Sequence, residues 1–302
     1  AFTQNLVMNP SFEEYWQCPT QVANVEDCKH VFNPMCADTK NVSCISTPDY
    51  FNACATIGSN ANVPTTFVGY QIAKDNDGYI GLTNKTFYRE YVQIKLENRM
   101  ISGNSYLFSF YANLSNNVRI TTNQLGIKFV TDSIIYNQFL WQFMEPDWVS
   151  NTYITDTANW TLLQGKYVAK GDEQWMIIGN FYPDTIFPTI EVNLSSSFYE
   201  CYFLLDYFQV EYNAILSIPN IFTPNNDGFN DIWKINGEVK EVSIYNRWGN
   251  QIFFSNQNFI GWNGNTKSGQ PCNDGIYYYI VTTLSNEDNT LQTHKGSITL
   301  LR

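Results

Sequence analysis

The chain has 302 residues, with 17 Lys and Arg against 28 Asp and Glu, and therefore a formal charge of −11 at pH 7. Its 44% hydrophobic and 16% aromatic residues are enough for a buried core and argue against disorder, and the length suits two domains. No apolar run approaches the roughly 18 residues of a membrane-spanning helix, and no Lys/Arg cluster could neutralise phosphates. We therefore expect no direct membrane insertion and no nucleic acid partner.

The N-terminal part of the chain is rich in cysteine. It has little periodicity and much Pro, Asn and Thr, so covalent staples would stabilise it. We predict disulfides with an outer bridge from Cys18 to Cys54, leave Cys272 unpaired, and keep a zinc site as the weaker alternative. The cysteines expected to pair are Cys18, Cys28, Cys36, Cys44, Cys54 and Cys201. Oxidative pairing implies export, and a start at Ala1 without an apolar leader is what we expect after removal of a signal peptide.

The following residues alternate between apolar and polar side chains and show little helical periodicity. Short aromatic and β-branched runs are separated by turns rich in Asn and Gly. The predicted strands cover residues 79–82, 88–96, 106–114, 126–130, 160–168, 174–181 and 203–212. This pattern predicts an all-β sandwich for residues 1–213.

A stretch between these strands, residues 136–153, carries aromatic side chains among polar ones. Trp141, Trp148 and Tyr153 are our candidate ligand-binding residues, because exposed aromatic rings stack on sugars or anchor protein partners. The spacing also fits a half-buried strand that closes one mouth of the sandwich. Both interpretations stay open at the level of sequence.

A short joint, residues 214–217, is predicted to link the first domain to a second set of strands. Residues 214–302 hold six basic and seven acidic side chains, so almost all the negative charge belongs to residues 1–213. The second set of predicted strands covers residues 218–222, 232–235, 239–247, 251–255, 276–284 and 293–301. Their number and length predict a small immunoglobulin-like sandwich.

Five sequence blocks in this second part form a recognisable series. They are IPNIFTPNNDGFND from residue 218, IYNRWGN from 244, GWNG from 261, GIYYY from 275 and KGSITL from 295. In this order they resemble the gliding-motility-associated C-terminal domain, the type B sorting domain of the type IX secretion system. The resemblance implies that residues 218–302 are an export address read by the translocon and its outer-membrane shuttle protein. It also implies passage through the periplasm and outer membrane to the cell surface or the medium.

The first of these blocks contains a candidate metal loop. Asn225, Asp227 and Asp231 place oxygen atoms around a glycine turn, a spacing that could wrap a calcium ion. A turn held by the same side chains without a metal is the alternative. We keep calcium as a structural cofactor expected for this loop.

The first domain resembles a galactose-binding-like jelly roll, the fold of many carbohydrate-binding modules. The resemblance rests on NLVMNPSFE from residue 5, GNSYLFSFY from 103 and YFLLDYFQV from 202. It implies that Glu13 and Asp206 come together and hold a structural calcium ion. A carboxylate on an apolar strand must be paired, metal-bound or hydrogen-bonded when buried, so backbone or Tyr donors are the alternative.

Catalytic chemistry has little raw material in this chain. It contains two His residues, and the acidic residues show no spacing that singles out a glycosidase pair. We therefore expect a non-enzymatic surface protein that acts in adhesion or as a gliding-motility accessory. A surface glycan or a motility adhesin is the expected partner of residues 1–213. The alternatives are a secreted carbohydrate-binding or carbohydrate-active protein and a structural subunit of a surface assembly.

Overall fold

The computed structural model describes residues 4–36, 44–135, 144–213, 216–237, 239–256, 259–284 and 290–302. The chain divides near residue 213 into an N-terminal and a C-terminal unit. Both are built mainly of strands, with short 3-10 turns at Val25–Asp27 and Asp184–Ile186. In the described ranges, no helix is long and apolar enough to span a membrane.

Two large sheets and two smaller, two-stranded sheets form the N-terminal unit. Its strands are β1 Val31–Phe32, β2 Asp49–Asn52, β3 Thr65–Thr66, β4 Gly69–Tyr70, β5 Gly78–Lys85, β6 Tyr88–Arg89, β7 Tyr91–Lys95, β8 Ser105–Leu114, β9 Ile120–Thr122, β10 Gly126–Val130, β11 Trp148–Val149, β12 Thr161–Val168, β13 Trp175–Gly179, β14 Thr189–Glu191 and β15 Cys201–Asn213. In the described part of the chain, the first sheet has the order β1-β7-β13-β10-β11. The second has the order β12-β8-β15-β5-β2, with β6 beside β5. The two-stranded sheets pair β3 with β4 and β9 with β14. The unit is a jelly-roll β-sandwich, as the sequence predicted.

The main core lies between the two sheets because alternate residues of each strand point inward. Phe108 of β8 and Phe129 of β10 meet across the sandwich with ring centroids 5.8 Å apart. Phe129 also stacks on Tyr167 of β12 at 4.5 Å. These aromatic contacts join the two sheets and account for the high aromatic content of the sequence.

The outer face of the first sheet carries a second, smaller apolar cluster. Met176 and Ile178 of β13 face the main core, whereas Ile177 between them points the other way. Ile177 packs in a cluster with Met35 and with Tyr91, whose ring lies 5.3 Å from that of Phe181. This sheet is therefore buried on both faces over β7 and β13.

One predicted strand is divided between the two sheets. The sequence predicted a single strand over residues 88–96, but the chain leaves the second sheet after β6 and enters the first sheet at β7. The division falls at Glu90, whose side chain accepts a hydrogen bond from the backbone N–H of Thr83 at 2.7 Å. A buried carboxylate held by β5 thus marks the crossing between sheets.

The C-terminal unit is built on one main sheet. Its strands are β16 Ile221–Phe222, β17 Val239–Tyr245, β18 Gln251–Ser255, β19 Gly275–Leu284 and β20 Leu291–Leu300. Within the described residues they follow the order β16-β20-β19-β17-β18, and β16 runs parallel to β20. The predicted strand at residues 232–235 is reduced to a bridge between Trp233 and Trp262.

The two tryptophans of that bridge cover the inner face of the C-terminal sheet. Both are fully buried and lie in one core with Ile244, Val281 and Ile298. The indole N–H of Trp233 donates to the carbonyl of residue 219 at 2.6 Å, which satisfies its polar atom within the core. The second layer of this small sandwich is therefore made of bridged segments rather than long strands.

Candidate functional site

The cysteine-rich segment is stapled as predicted at its outer bridge. Cys18 and Cys54 form a disulfide with Cα atoms 5.8 Å apart, and Cys36 pairs with Cys44. Cys272 is unpaired, which confirms its assignment as the remaining thiol. These two bridges lie in the N-terminal unit, in the loop-rich part of the chain.

The prediction that Cys28 and Cys201 each take part in a disulfide is wrong. Both are buried free thiols, and burial raises the pKa of each. The sulfur of Cys28 accepts a hydrogen bond from the Asn9 amide at 3.3 Å. Cys201 lies on β15 beside Thr121 and Thr122 of β9, and the pKa of its thiol rises to about 12. Neither thiol therefore forms a disulfide with another cysteine.

Glu13 and Asp206 are brought to the same loop, residues 74–78. Asp206 accepts hydrogen bonds from the backbone N–H groups of Lys74 at 2.7 Å and Asp75 at 3.1 Å. Glu13 accepts from the N–H groups of Asp77 at 2.9 Å and Gly78 at 2.8 Å. The two carboxylates therefore anchor one loop from both of its ends.

Carboxylate oxygens are the type of ligand that calcium prefers, but the groups around these two carboxylates are backbone N–H donors. Burial raises the pKa of Asp206 to about 8, and burial also raises the pKa of Glu13. Backbone N–H groups already occupy much of their acceptor capacity, which is the alternative to a metal that the sequence left open. In the described ranges no three His, Cys, Asp or Glu side chains are grouped for a metal ion. Calcium here stays a prediction.

The candidate metal loop of the C-terminal unit is organised by its own side chains. Asp231 accepts from the N–H of Asn226 at 2.6 Å and of Gly228 at 2.8 Å. Asp227 accepts from the N–H of Phe229 at 2.8 Å, and this bond lowers the pKa of Asp227. The side chains thus form successive turns, and calcium binding by Asn225, Asp227 and Asp231 stays a prediction.

The structure describes two of the three predicted ligand-binding aromatic residues, and a role of these residues in ligand binding stays a prediction. Trp148 is partly buried and packs edge-on against Phe108 at 5.4 Å and Phe110 at 6.2 Å, so its ring closes the sandwich rather than standing free. Tyr153 is half-buried. Trp141 lies outside the described residues. The sequence pattern could not separate these outcomes, because a half-buried strand and an exposed loop use the same alternation.

A buried carboxylate pair that the sequence did not single out lies at β2 and after β6. Asp49 accepts from the hydroxyl of Tyr202 and from the N–H of Ala23. Glu90 accepts from the hydroxyl of Tyr88 at 2.9 Å. Burial raises the pKa of Asp49 to about 6, and burial together with the charge of Asp49 raises that of Glu90 to about 7. Both side chains are buried, which is why their pKa values rise.

The outer face of the second sheet carries a row of polar and aromatic side chains, which we call the polar–aromatic strip. The ammonium of Lys74 lies 4.2 Å from the ring centre of Tyr111, and Tyr207 lies beside that ring at 6.1 Å. The hydroxyl of Ser109 donates to the side-chain oxygen of Gln209 at 3.2 Å. Alternate residues of β8 point to this face, so the alternation in β8 could have predicted that Ser109 and Tyr111 share a face. It could not have predicted which residues of other segments lie beside them.

Comparison with known proteins assigns the C-terminal unit. Residues 216–300 match the family model of the CHU_C type IX secretion signal domain. This match confirms the resemblance seen over residues 218–302, and such a signal implies export from the cell. No curated protein is significantly similar to the chain.

Several solved structures resemble parts of this chain at low identity and low TM-score. One is the CBM22-1 xylan-binding domain of Xyn10C from Paenibacillus barcinonensis, at 14% identity and TM-score 0.29, covering 47% of this chain and 76% of that one. Another is TmCBM61 in complex with β-1,4-galactotriose, at 11% and 0.31, covering 70% and 99%. A third is the enzymatically active domain of bacteriophage CBA120 tailspike protein 4, at 11% and 0.33, covering 69% of this chain and 21% of that one.

Proposed function

We propose that this protein is a substrate of the type IX secretion system that is displayed at the cell surface. The observation that carries the proposal is the match of residues 216–300 to a type IX secretion signal domain. In this proposal the C-terminal unit is read by the translocon and its outer-membrane shuttle protein. The disulfide-stapled N-terminal unit is the part that works outside the cell.

The work of the N-terminal unit is recognition rather than catalysis in this proposal, as an adhesion protein or a gliding-motility accessory. Two kinds of carboxylate contact support this assignment. Asp49 and Glu90, the pair that the fold brings together, are buried and hydrogen-bonded. Asp147 accepts from Lys128 at 3.2 Å and Lys170 at 3.1 Å. These three carboxylates are held by contacts within the fold.

Surface display is tested with the full chain, fitted with a signal peptide and an epitope tag, in a bacterium that has a type IX system. Intact cells are treated with protease, and the tag is followed in cells, periplasm and medium. We expect a protease-accessible, cell-bound protein in the parent strain and periplasmic retention in a strain without the translocon. Equal export from both strains would refute the proposal. Release into the medium alone would refute display and favour a secreted protein.

A second candidate, a carbohydrate-binding role, is supported by the polar–aromatic strip. Tyr111 and Tyr207 provide rings for stacking on sugars, and Lys74 and Gln209 provide polar groups beside them. A glycan array with the full chain tests it. Binding that is lost on Tyr111→Ala and kept on Tyr70→Ala, a change of an exposed tyrosine elsewhere, would establish this role. Sugar release from bound polysaccharide would instead indicate a carbohydrate-active enzyme.

A further inference from the structure

The outer face of the C-terminal sheet carries a shallow groove of about 640 Å³. The other face of the same sheet is the one that packs against Trp233 and Trp262 in the core. We call the first feature the Tyr278 groove. Its lining includes Tyr245, Arg247, Tyr278, Ile280, Lys295 and Ser297.

Strand register explains why these side chains lie together. Tyr245 of β17 is opposite Tyr278 of β19, and Tyr278 is opposite Ser297 of β20. Ile280 is opposite Lys295 one step further along the same face. Directly opposed residues in antiparallel strands point to the same side, so the groove is a fixed product of the sheet rather than of a loop.

The groove is unusually apolar for a sheet face in contact with water. Tyr278 is 50% exposed, and the row continues to Ile276, which is 56% exposed. At the tip of the neighbouring turn Trp248 is 75% exposed, and the guanidinium of Arg247 lies 5.1 Å from its ring centre. A free face of an antiparallel sheet is normally polar, and exposed Trp, Tyr and Arg together are typical of the energetic centre of a protein interface.

The charges of the groove specify the kind of partner. Its charged lining residues among those described, Arg247 and Lys295, are both cations, although the chain as a whole carries −11. Glu241 lies further along β17, opposite Thr282, and beyond this lining. An acidic surface would gain from both cations, whereas an apolar or basic one would leave them unpaired.

From this combination we propose that the Tyr278 groove docks on an acidic segment of a protein of the export machinery. The partner's carboxylates pair with Arg247 and Lys295, and its apolar side chains cover Tyr278 and Ile280. The inference rests on the proposed export function and adds to it which face of the signal unit is read. A lone phosphate or lipid headgroup would use the two cations but would leave the apolar row uncovered.

The test uses the full tagged chain in the host with a type IX system described above. Arg247→Glu with Lys295→Glu reverses both charges, Arg247→Lys with Lys295→Arg keeps them, and Lys267→Glu reverses an exposed charge outside the groove. We expect charge reversal to lower the exported fraction roughly tenfold or more, because a few central interface residues carry most of the binding energy. The charge-keeping variant and Lys267→Glu should be exported like the parent chain.

The outcomes separate the two ideas. Retention of the parent chain in the periplasm would refute the export function itself. Export of the parent chain and of the charge-reversed variant to the same extent would refute only the docking groove. Each purified variant must have the same melting temperature as the parent chain. If charge reversal lowers the melting temperature, Tyr278→Ala is used instead, and we expect it to lower the exported fraction in the same way.

A photo-reactive residue at position 248 then identifies what lies against the groove. We expect a cross-link to a translocon or shuttle component, in a segment containing Asp or Glu. Cross-links to envelope lipid, or to a second copy of this chain, would overturn the proposal.

Discussion

The buried carboxylate pair makes the stability of the N-terminal unit depend on pH. Burial raises the pKa of Asp49 from its usual 3.8 to about 6, and burial with the nearby charge of Asp49 raises that of Glu90 from 4.5 to about 7. Each group therefore binds its proton more tightly in the folded chain than in the unfolded chain. The stability that this gives is fully present below the unfolded pKa and is lost as the pH rises through 6 and 7.

The size of the effect follows from these pKa values. Between pH 5 and pH 8 the two groups together should lower the free energy of unfolding by about 4 kcal/mol. For a unit of this length, that corresponds to a fall in melting temperature of roughly 8 to 16 °C. Asp206, with a pKa of about 8, acts in the same direction. The pair must therefore be isolated with a variant.

Asp49→Asn with Glu90→Gln supplies that variant, because neither amide ionises. Scanning calorimetry of the full chain at pH 5 and pH 8 measures the melting temperature of the N-terminal unit. The transition of this unit is identified as the one that shifts when the Cys18–Cys54 disulfide is reduced. We expect the variant to gain about 10 °C relative to the parent chain on going from pH 5 to pH 8. Asp132→Asn, at an exposed carboxylate, should show no such gain. An equal difference at both pH values would show that the buried pair does not titrate in this range.

Three further predictions follow from the described contacts. Calcium added to chelated protein should raise the melting temperature of the N-terminal unit, and Glu13→Gln with Asp206→Asn should abolish the rise; an unchanged melting curve would restrict both carboxylates to anchoring their loop. Replacing Cys18 and Cys54 by Ser should cost about 2–4 kcal/mol in urea unfolding, whereas an unchanged midpoint would mean that the bridge adds no stability. Trp262→Ala should cost about 3–5 kcal/mol and remove the calorimetric transition of the C-terminal unit; retention of that transition would contradict its place in the core.

Strand positions were predictable where the pattern is local. Residues 126–130 were predicted as a strand and form β10, and residues 106–114 correspond to β8 at Ser105–Leu114. Alternation of inward and outward side chains needs only the neighbouring residues of one strand, so it can be read from sequence. The order of the strands within the two sheets depends on pairings between residues that are distant in sequence. It could not be predicted from the local pattern of any one strand.

The errors have the same origin. The strand over residues 88–96 was predicted as one element because its alternation is continuous, but the bond from Thr83 to Glu90 marks a crossing between sheets. The predicted pairing of Cys28 with another cysteine failed because Asn9 and the surrounding core occupy its sulfur. In both cases a contact with a residue outside the predicted segment decided the outcome.

The sequence by itself determined the all-β class, the Cys18–Cys54 staple and the secretion signal of the C-terminal part, since each depends on residue types and spacing along the chain. Tertiary structure alone decided which charged and aromatic groups meet. It buried Asp49 with Glu90 and placed Tyr278 and Lys295 on one open face. Burial and cross-strand register set these properties, and both depend on the three-dimensional neighbours that the fold assembles.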